Sequence, residues 1–154
     1  MSRAFVKESD GADGDELAEL KLSPHRNLVT TEGLAGIDSA VDRLRTDLSA
    51  ARSAEDRAGI KRIQRDLRYW TERQRTAELV KPTASGATAR FGSLVTLEKG
   101  DGSPVEFRIV GEDEADPARG LISYVSPIAK LLIGASVGEE ITLPEGAAEI
   151  VGIR

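Results

Sequence analysis

Apolar residues recur at intervals of three and four in two successive runs. Leu34, Ile37, Val41, Leu44, Leu48 and Ala51 make the first, and Ile60, Ile63, Leu67, Trp70, Gln74 and Ala77 continue the register in the second. This spacing returns one residue per turn to the same helix face, as in a heptad seam, while Asp38, Arg43, Arg45 and Asp47 fill the outer positions. Two amphipathic helices joined by a short turn hide such seams most simply by folding back as an antiparallel coiled-coil hairpin. The first helix opens at Thr30-Thr31-Glu32-Gly33, and the stretch to Ala51 spans about 30 Å at helical rise. The second must end before Pro82, which cannot continue a hydrogen-bonded helix.

The turn between them is expected at 53–56. Ser53 can cap the second helix, with Asp56 at its third position in an approximate capping box. Gly59 either weakens that helix start, by about 1 kcal/mol relative to Ala, or marks the bend. Glu55 and Asp56 are two adjacent carboxylates at this tip, where the positive end of a helix dipole favours them. Downstream, Arg57, Lys61, Arg62, Arg65, Arg68, Arg73 and Arg75 form a basic run, expected as a solvated helix face. Its alternative role is a surface that lies along an acidic wall of a partner or near RNA.

Residues 1–27 are rich in Asp, Glu, Gly and Ala and carry too little apolar surface to offset the entropy of ordering. A flexible acidic extension is expected there, with Phe5, Val6, Leu17, Leu20 and Leu22 the only candidates to dock. The formal charge of −5 argues against a general nucleic-acid binder. Absence of cysteine excludes disulfide scaffolds, cysteine zinc sites and thiol catalysis, and the lone His25 cannot build a metal site. No apolar run approaches the roughly 20 residues a bilayer demands, and charges stand where a signal peptide needs an apolar segment. A cytoplasmic protein with no membrane partner is expected.

Beyond a Thr/Ala/Ser/Gly linker at 82–90 the periodicity changes from helical to alternating. Strands at 91–97 and 105–110 flank Lys99-Gly100-Asp101-Gly102, whose glycines suit a hairpin turn. A third strand is expected over 120–125, then a short helix from Pro127 to about Ile133 capped by Ser126. Strands over 138–143 and 147–153 close the domain around Pro144-Glu145-Gly146. The fold class is α+β: a helical hairpin at 28–81, then a compact antiparallel sheet domain with one short helix at 91–154.

From Phe91-Gly92 onward the chain resembles the C-terminal domain of the Gre family of bacterial transcript-cleavage and elongation factors. The landmarks run in order: Phe91-Gly92, the 105–111 strand, Glu114-Ala115-Asp116-Pro117, Gly120-Leu121-Ile122-Ser123, Ser126-Pro127-Ile128-Ala129, 131–134 and Val137-Gly138. Thr30-Thr31-Glu32-Gly33-Leu34 resembles the entry to the family's first helix, and Asp66-Leu67-Arg68-Tyr69 its returning helix. The resemblance covers about residues 29–154 and leaves the extension outside.

It implies an FKBP-like C-terminal domain that holds the factor on the rim of the RNA polymerase secondary channel, against a coiled coil of the largest subunit. Ser126, Pro127 and Ile128, with Asp116 and Pro117 beside them, occupy the corresponding positions. Val125 stands where relatives often carry a polar residue. Relatives that stimulate cleavage bear an Asp-x-x-Glu-Asn tip whose carboxylates help hold the second Mg²⁺ of the polymerase and activate water, as hard oxygen ligands can in a two-metal site. This chain lacks that motif, so cleavage stimulation is not expected. The alternative is an active cleavage factor using Glu55 and Asp56. The hairpin is also about eighteen residues shorter than the family's, a loss of reach on the order of a dozen Å at helical rise. The resemblance thus implies a monomer that partners RNA polymerase, with a nascent RNA contact open to it, has no cofactor of its own, and at most touches polymerase-bound Mg²⁺. It is no enzyme itself. A remote reading, a prolyl isomerase, requires an aromatic-lined pocket, for which only Phe91, Phe107 and Tyr124 are on offer.

Overall fold

The computed structural model describes residues 17–83 and 86–154. Phe5 and Val6, two of the docking candidates, lie outside the described residues. The elements in order are β1 (Leu28–Val29), α1 (Thr31–Ser53), α2 (Arg57–Thr76), β2 (Glu78–Leu79), β3 (Leu94–Lys99), β4 (Pro104–Val110), β5 (Leu121–Ser123), α3 (Pro127–Leu132), β6 (Glu140–Leu143) and β7 (Gly146–Ile153). A single 3₁₀ turn, Pro117–Arg119, precedes β5.

The two heptad runs form the antiparallel hairpin. Thr30 keeps extended backbone and its hydroxyl accepts the Gly33 N–H at 2.9 Å, satisfying one of the free amides at the start of α1. Ile37, Val41, Leu44, Leu48 and Ala51 are buried together with Ala40. Each fully buried branched side chain of this kind contributes roughly 1.5–3 kcal/mol. The seam of α2 is shallower: Ile60, Ile63, Leu67 and Trp70 are only half-buried.

Helix α2 stops at Thr76, well before Pro82. Ala77, expected as its last seam position, turns to extended backbone (ψ 128°) and caps the helix instead. The cause is a parallel pairing of Leu28–Val29 with Glu78–Leu79, through Glu78 N–H to the Asn27 carbonyl (2.8 Å) and Val80 N–H to the Val29 carbonyl (2.9 Å). The two feet of the hairpin are therefore stitched together by backbone bonds that a heptad pattern does not encode.

The second part is a five-stranded sheet in the order β5-β4-β3-β7-β6. Its core gathers Val95, Leu97, Ile109, Ile122, Ala129, Leu132, Ile141, Leu143 and Ile150. Ala89, within the linker segment, is 2% exposed, and its backbone bonds with Ala135 and Gly134 tie it to this core. One expectation fails in part. β5 pairs in parallel with β4, in the register Arg108 to Leu121 through Val110 to Ser123, so the sheet is mixed. The chain does not reverse in a tight turn after β4; it crosses through 111–120 and re-enters in the same direction, with Gly120 at φ 74° and its carbonyl accepting from Arg108 N–H at 2.8 Å. Parallel neighbours require such a crossover.

Candidate functional site

At the hairpin tip α1 runs on through Ser53, so Ser53 is its last helical residue and not the cap of α2. Ala54 follows in the right-handed region and Glu55 takes φ 54°, the left-handed conformation usual for glycine. Glu55 N–H then bonds the Arg52 carbonyl (3.1 Å) and Asp56 N–H the Ala51 carbonyl (3.0 Å), the double closure of a Schellman motif. A side chain in this region costs about 1 kcal/mol. Asp56 is the N-cap of α2, its carboxylate accepting the Gly59 N–H at 3.0 Å. Gly59 is accordingly not a bend: a Cβ there would overlap the capping carboxylate. Of the two tip carboxylates, Glu55 is exposed and without a partner among the described residues, whereas Asp56 is engaged by its own helix.

The second set of expected residues frames β5. Asp116 brackets its start: Asp116 N–H donates to the Leu121 carbonyl (2.8 Å), and its own carbonyl accepts from Leu121 N–H (3.1 Å) and Arg119 N–H (2.9 Å). Pro117 follows, exposed at the first position of the 3₁₀ turn. At the other end Ser126 N–H donates to the Ser123 carbonyl (2.9 Å), and Ser126 Oγ caps α3 by accepting from Ala129 N–H at 3.3 Å. The ring of Pro127 is exposed, while Ile128 is half-buried against the core and helps seat the helix. The structure thus places Asp116 and Pro117 at one end of a three-residue strand and Ser126, Pro127 and Ile128 at the other, well separated in sequence from the tip residues. Of the three aromatic residues, Phe91 and Tyr124 pack edge to face at 5.7 Å, and all three rest against the core as filler.

A third constellation, at the base of the hairpin, escapes the sequence reading. Glu112, Asp113 and Glu114 follow β4, and each anchors a different part of the first half of the chain. Glu112 accepts from the Ser23 hydroxyl (3.0 Å). Asp113 accepts from Tyr69 Oη (2.5 Å) and Arg73 Nε (2.5 Å) on α2. Glu114 accepts from the Thr30 hydroxyl (2.8 Å to Oε2) at the start of α1. Arg73 therefore departs from the expected solvated basic face: it is 3% exposed, with Glu112 a second carboxylate at 3.8 Å. Asn27 is buried beside it and donates to the Arg73 carbonyl at 2.7 Å, so the residue just before β1 is built into the base. Gly111 lets the loop approach, because a Cβ there would run into the Leu28 carbonyl. Burial, and then the bond to Asp113, push the Tyr69 phenol up to about 12. Two signals were available: three consecutive acids at a strand end, and an Arg flanking the seam, one position before Gln74.

Among the described residues no group of three His, Cys, Asp or Glu is placed to hold a metal ion, and no helix is long and apolar enough to cross a membrane. Fold and site define a class: a helical arm held at its base on a small sheet domain by an acidic loop, its tip carried roughly 35 Å away at helical rise. Residues 83–154 match the family described as transcription elongation factor, GreA/GreB, C-term. The chain is 38% identical over 116 residues to transcription elongation factor GreA of Novosphingobium aromaticivorans, covering 71% of this chain and 73% of that one. It is 42% identical over 95 residues to GreB of Neisseria meningitidis, covering 59% and 58%. Among solved structures, GreA factor homolog 1 of Thermus thermophilus aligns over 82% of this chain and 97% of that one at 20% identity and a TM-score of 0.40. The chain belongs to the GreA/GreB family of transcription elongation factors.

Proposed function

We propose that this chain binds RNA polymerase through its sheet domain and regulates elongation by lodging its hairpin in the secondary channel, without stimulating transcript cleavage. The observation that carries the second half is the tip geometry. Holding a second Mg²⁺ and activating water takes carboxylates that converge and are free to bind. Asp56 is held by the Gly59 amide as a helix cap, which leaves Glu55 as the one tip carboxylate without a partner among the described residues. The proposed platform is the pair of loops around β5: Asp116 and Pro117, and Ser126, Pro127 and Ile128. Nascent RNA, if the tip approaches it, would meet Arg57 and Lys61 just past the turn, and the factor acts as a monomer.

The second reading, cleavage stimulation by Glu55 and Asp56, draws on one observation: Glu55 holds a left-handed conformation at the turn and is exposed there. In that reading Asp56 must leave its cap when it meets the polymerase-bound metal.

The platform is tested by binding. Pro127 is exposed at the first turn of α3, where an acidic side chain is compatible with the helix, so Pro127→Glu keeps the fold. We expect it to weaken co-purification with core polymerase by about tenfold or more. Unchanged binding removes these loops as the interface. Ile128 is unsuited to the same test because its side chain supports the core.

A further inference from the structure

We infer that the Tyr124 hydroxyl is the second support of the arm, a positioning group that fixes the angle between the hairpin and the sheet domain. This goes beyond the polymerase reading and does not depend on it. Among the described residues, the hydrogen bonds and ion pairs that join residues 17–80 to the sheet domain end, with one exception, on the loop 112–114. Ser23 and Arg73 meet Glu112, Tyr69 and Arg73 meet Asp113, and Thr30 meets Glu114. Gly111, close against the Leu28 carbonyl, adjoins the same loop. Three consecutive residues span at most about 10 Å of chain, so bonds to them alone define a hinge about which a long arm can still swing.

The exception is Tyr124, whose Oη donates to the Arg26 carbonyl at 2.5 Å. Both ends of this bond are held. On the sheet side, Tyr124 N–H donates to the Val110 carbonyl at 2.9 Å and the ring packs edge to face on Phe91 at 5.7 Å, so the phenol stands as a fixed post just past β5. On the arm side, Arg26 is followed by Asn27, which donates to the Arg73 carbonyl (2.7 Å) and to Thr76 Oγ1 (3.2 Å) at the end of α2. The Asn27 carbonyl accepts Glu78 N–H at 2.8 Å, and the Arg26 side chain pairs with Glu78. The Tyr124 ring fills space against the core, as a Phe would; only the hydroxyl reaches across to the arm. A contact off the hinge line blocks the rotation that the loop leaves open. An arm already held at one angle gives up less freedom when it docks on a partner.

The absence of cysteine makes the test direct. Spin labels at Ser49→Cys on α1 and Thr142→Cys on β6, both exposed, report the distance between arm and sheet in the full chain. Otherwise wild-type protein is expected to give one narrow distribution. Tyr124→Phe keeps the ring and removes the hydroxyl, and should raise the fraction of molecules outside the wild-type peak about fivefold, the population equivalent of one hydrogen bond. Tyr69→Phe removes the same group from a bond that ends on the hinge loop, where Arg73 still holds Asp113, and should leave the distribution unchanged. A distribution that Tyr124→Phe does not broaden overturns the proposal, and so does equal broadening by the two variants. Broadening accompanied by loss of helix content in circular dichroism also overturns it, because the arm itself has then come apart.

Discussion

The two ends of the hairpin are held by different kinds of bond. At the base, side chains far apart in sequence meet: Arg73 with Asp113, Asn27 with the Arg73 carbonyl, Thr30 with Glu114. At the tip every bond is local, the Schellman closure and the Asp56 cap linking residues no more than five apart. A local turn can change its side chains while the arm stays in place, whereas the base cannot lose one partner without stranding another. The difference separates two roles in the fold: long-range bonds at the base tie the arm to the sheet domain, and local bonds shape the tip.

The largest expected effect breaks the base. Arg73→Met leaves Asp113 and Glu112 facing a buried site without their cation, and removing one partner of a buried pair costs about 3–5 kcal/mol. Denaturant unfolding should show that loss, and Arg73→Met/Asp113→Leu should recover much of it. If Arg73→Met unfolds like wild type, the base does not lock the arm. Asp56→Ala should cost about 1 kcal/mol, as N-cap losses do, and amide exchange should report it in the first turn of α2 and not in the sheet. Protection lost across both regions would contradict a locally built tip. Glu55→Gly relieves the left-handed residue and should stabilise the hairpin by up to about 1 kcal/mol, read as a higher unfolding midpoint.

The smallest effect concerns alkaline pH. Tyr69 is raised in the folded state to about 12 from its ordinary value of about 10, so its contribution is complete below pH 10. It is lost as pH climbs from 10 toward 12, because the unfolded phenol ionises first. Tyr69→Phe should flatten that part of the stability profile; an unchanged alkaline slope would separate Tyr69 from the base.

What the sequence makes legible follows the range of the interaction. Ser126 as cap of α3, the strand pair around Gly100 to Gly102 and the α1 seam are set within a few residues of themselves, and they appear where periodicity and capping put them, save that the first strand runs Leu94–Lys99 and not 91–97, because Phe91-Gly92 forms a turn. The cap of α2 was displaced from Ser53 to Asp56 because the helix before it closes through a non-glycine left-handed residue, which no glycine announced. The parallel β1–β2 stitch, the parallel β4–β5 pair and the Arg73 cluster all join residues from distant segments. Charge alone marks Arg73 as surface; only the arrival of Asp113 forty residues later makes its burial tolerable.

The central proposal is that the arm reaches the polymerase with a tip unable to assist cleavage. Its most direct test adds the protein to stalled, backtracked elongation complexes and follows the length of the RNA. The account predicts that RNA length stays as it is without the factor while the protein is bound. Shortened transcripts with wild type, lost in Glu55→Ala/Asp56→Ala, would contradict it and establish the two tip carboxylates as a working pair.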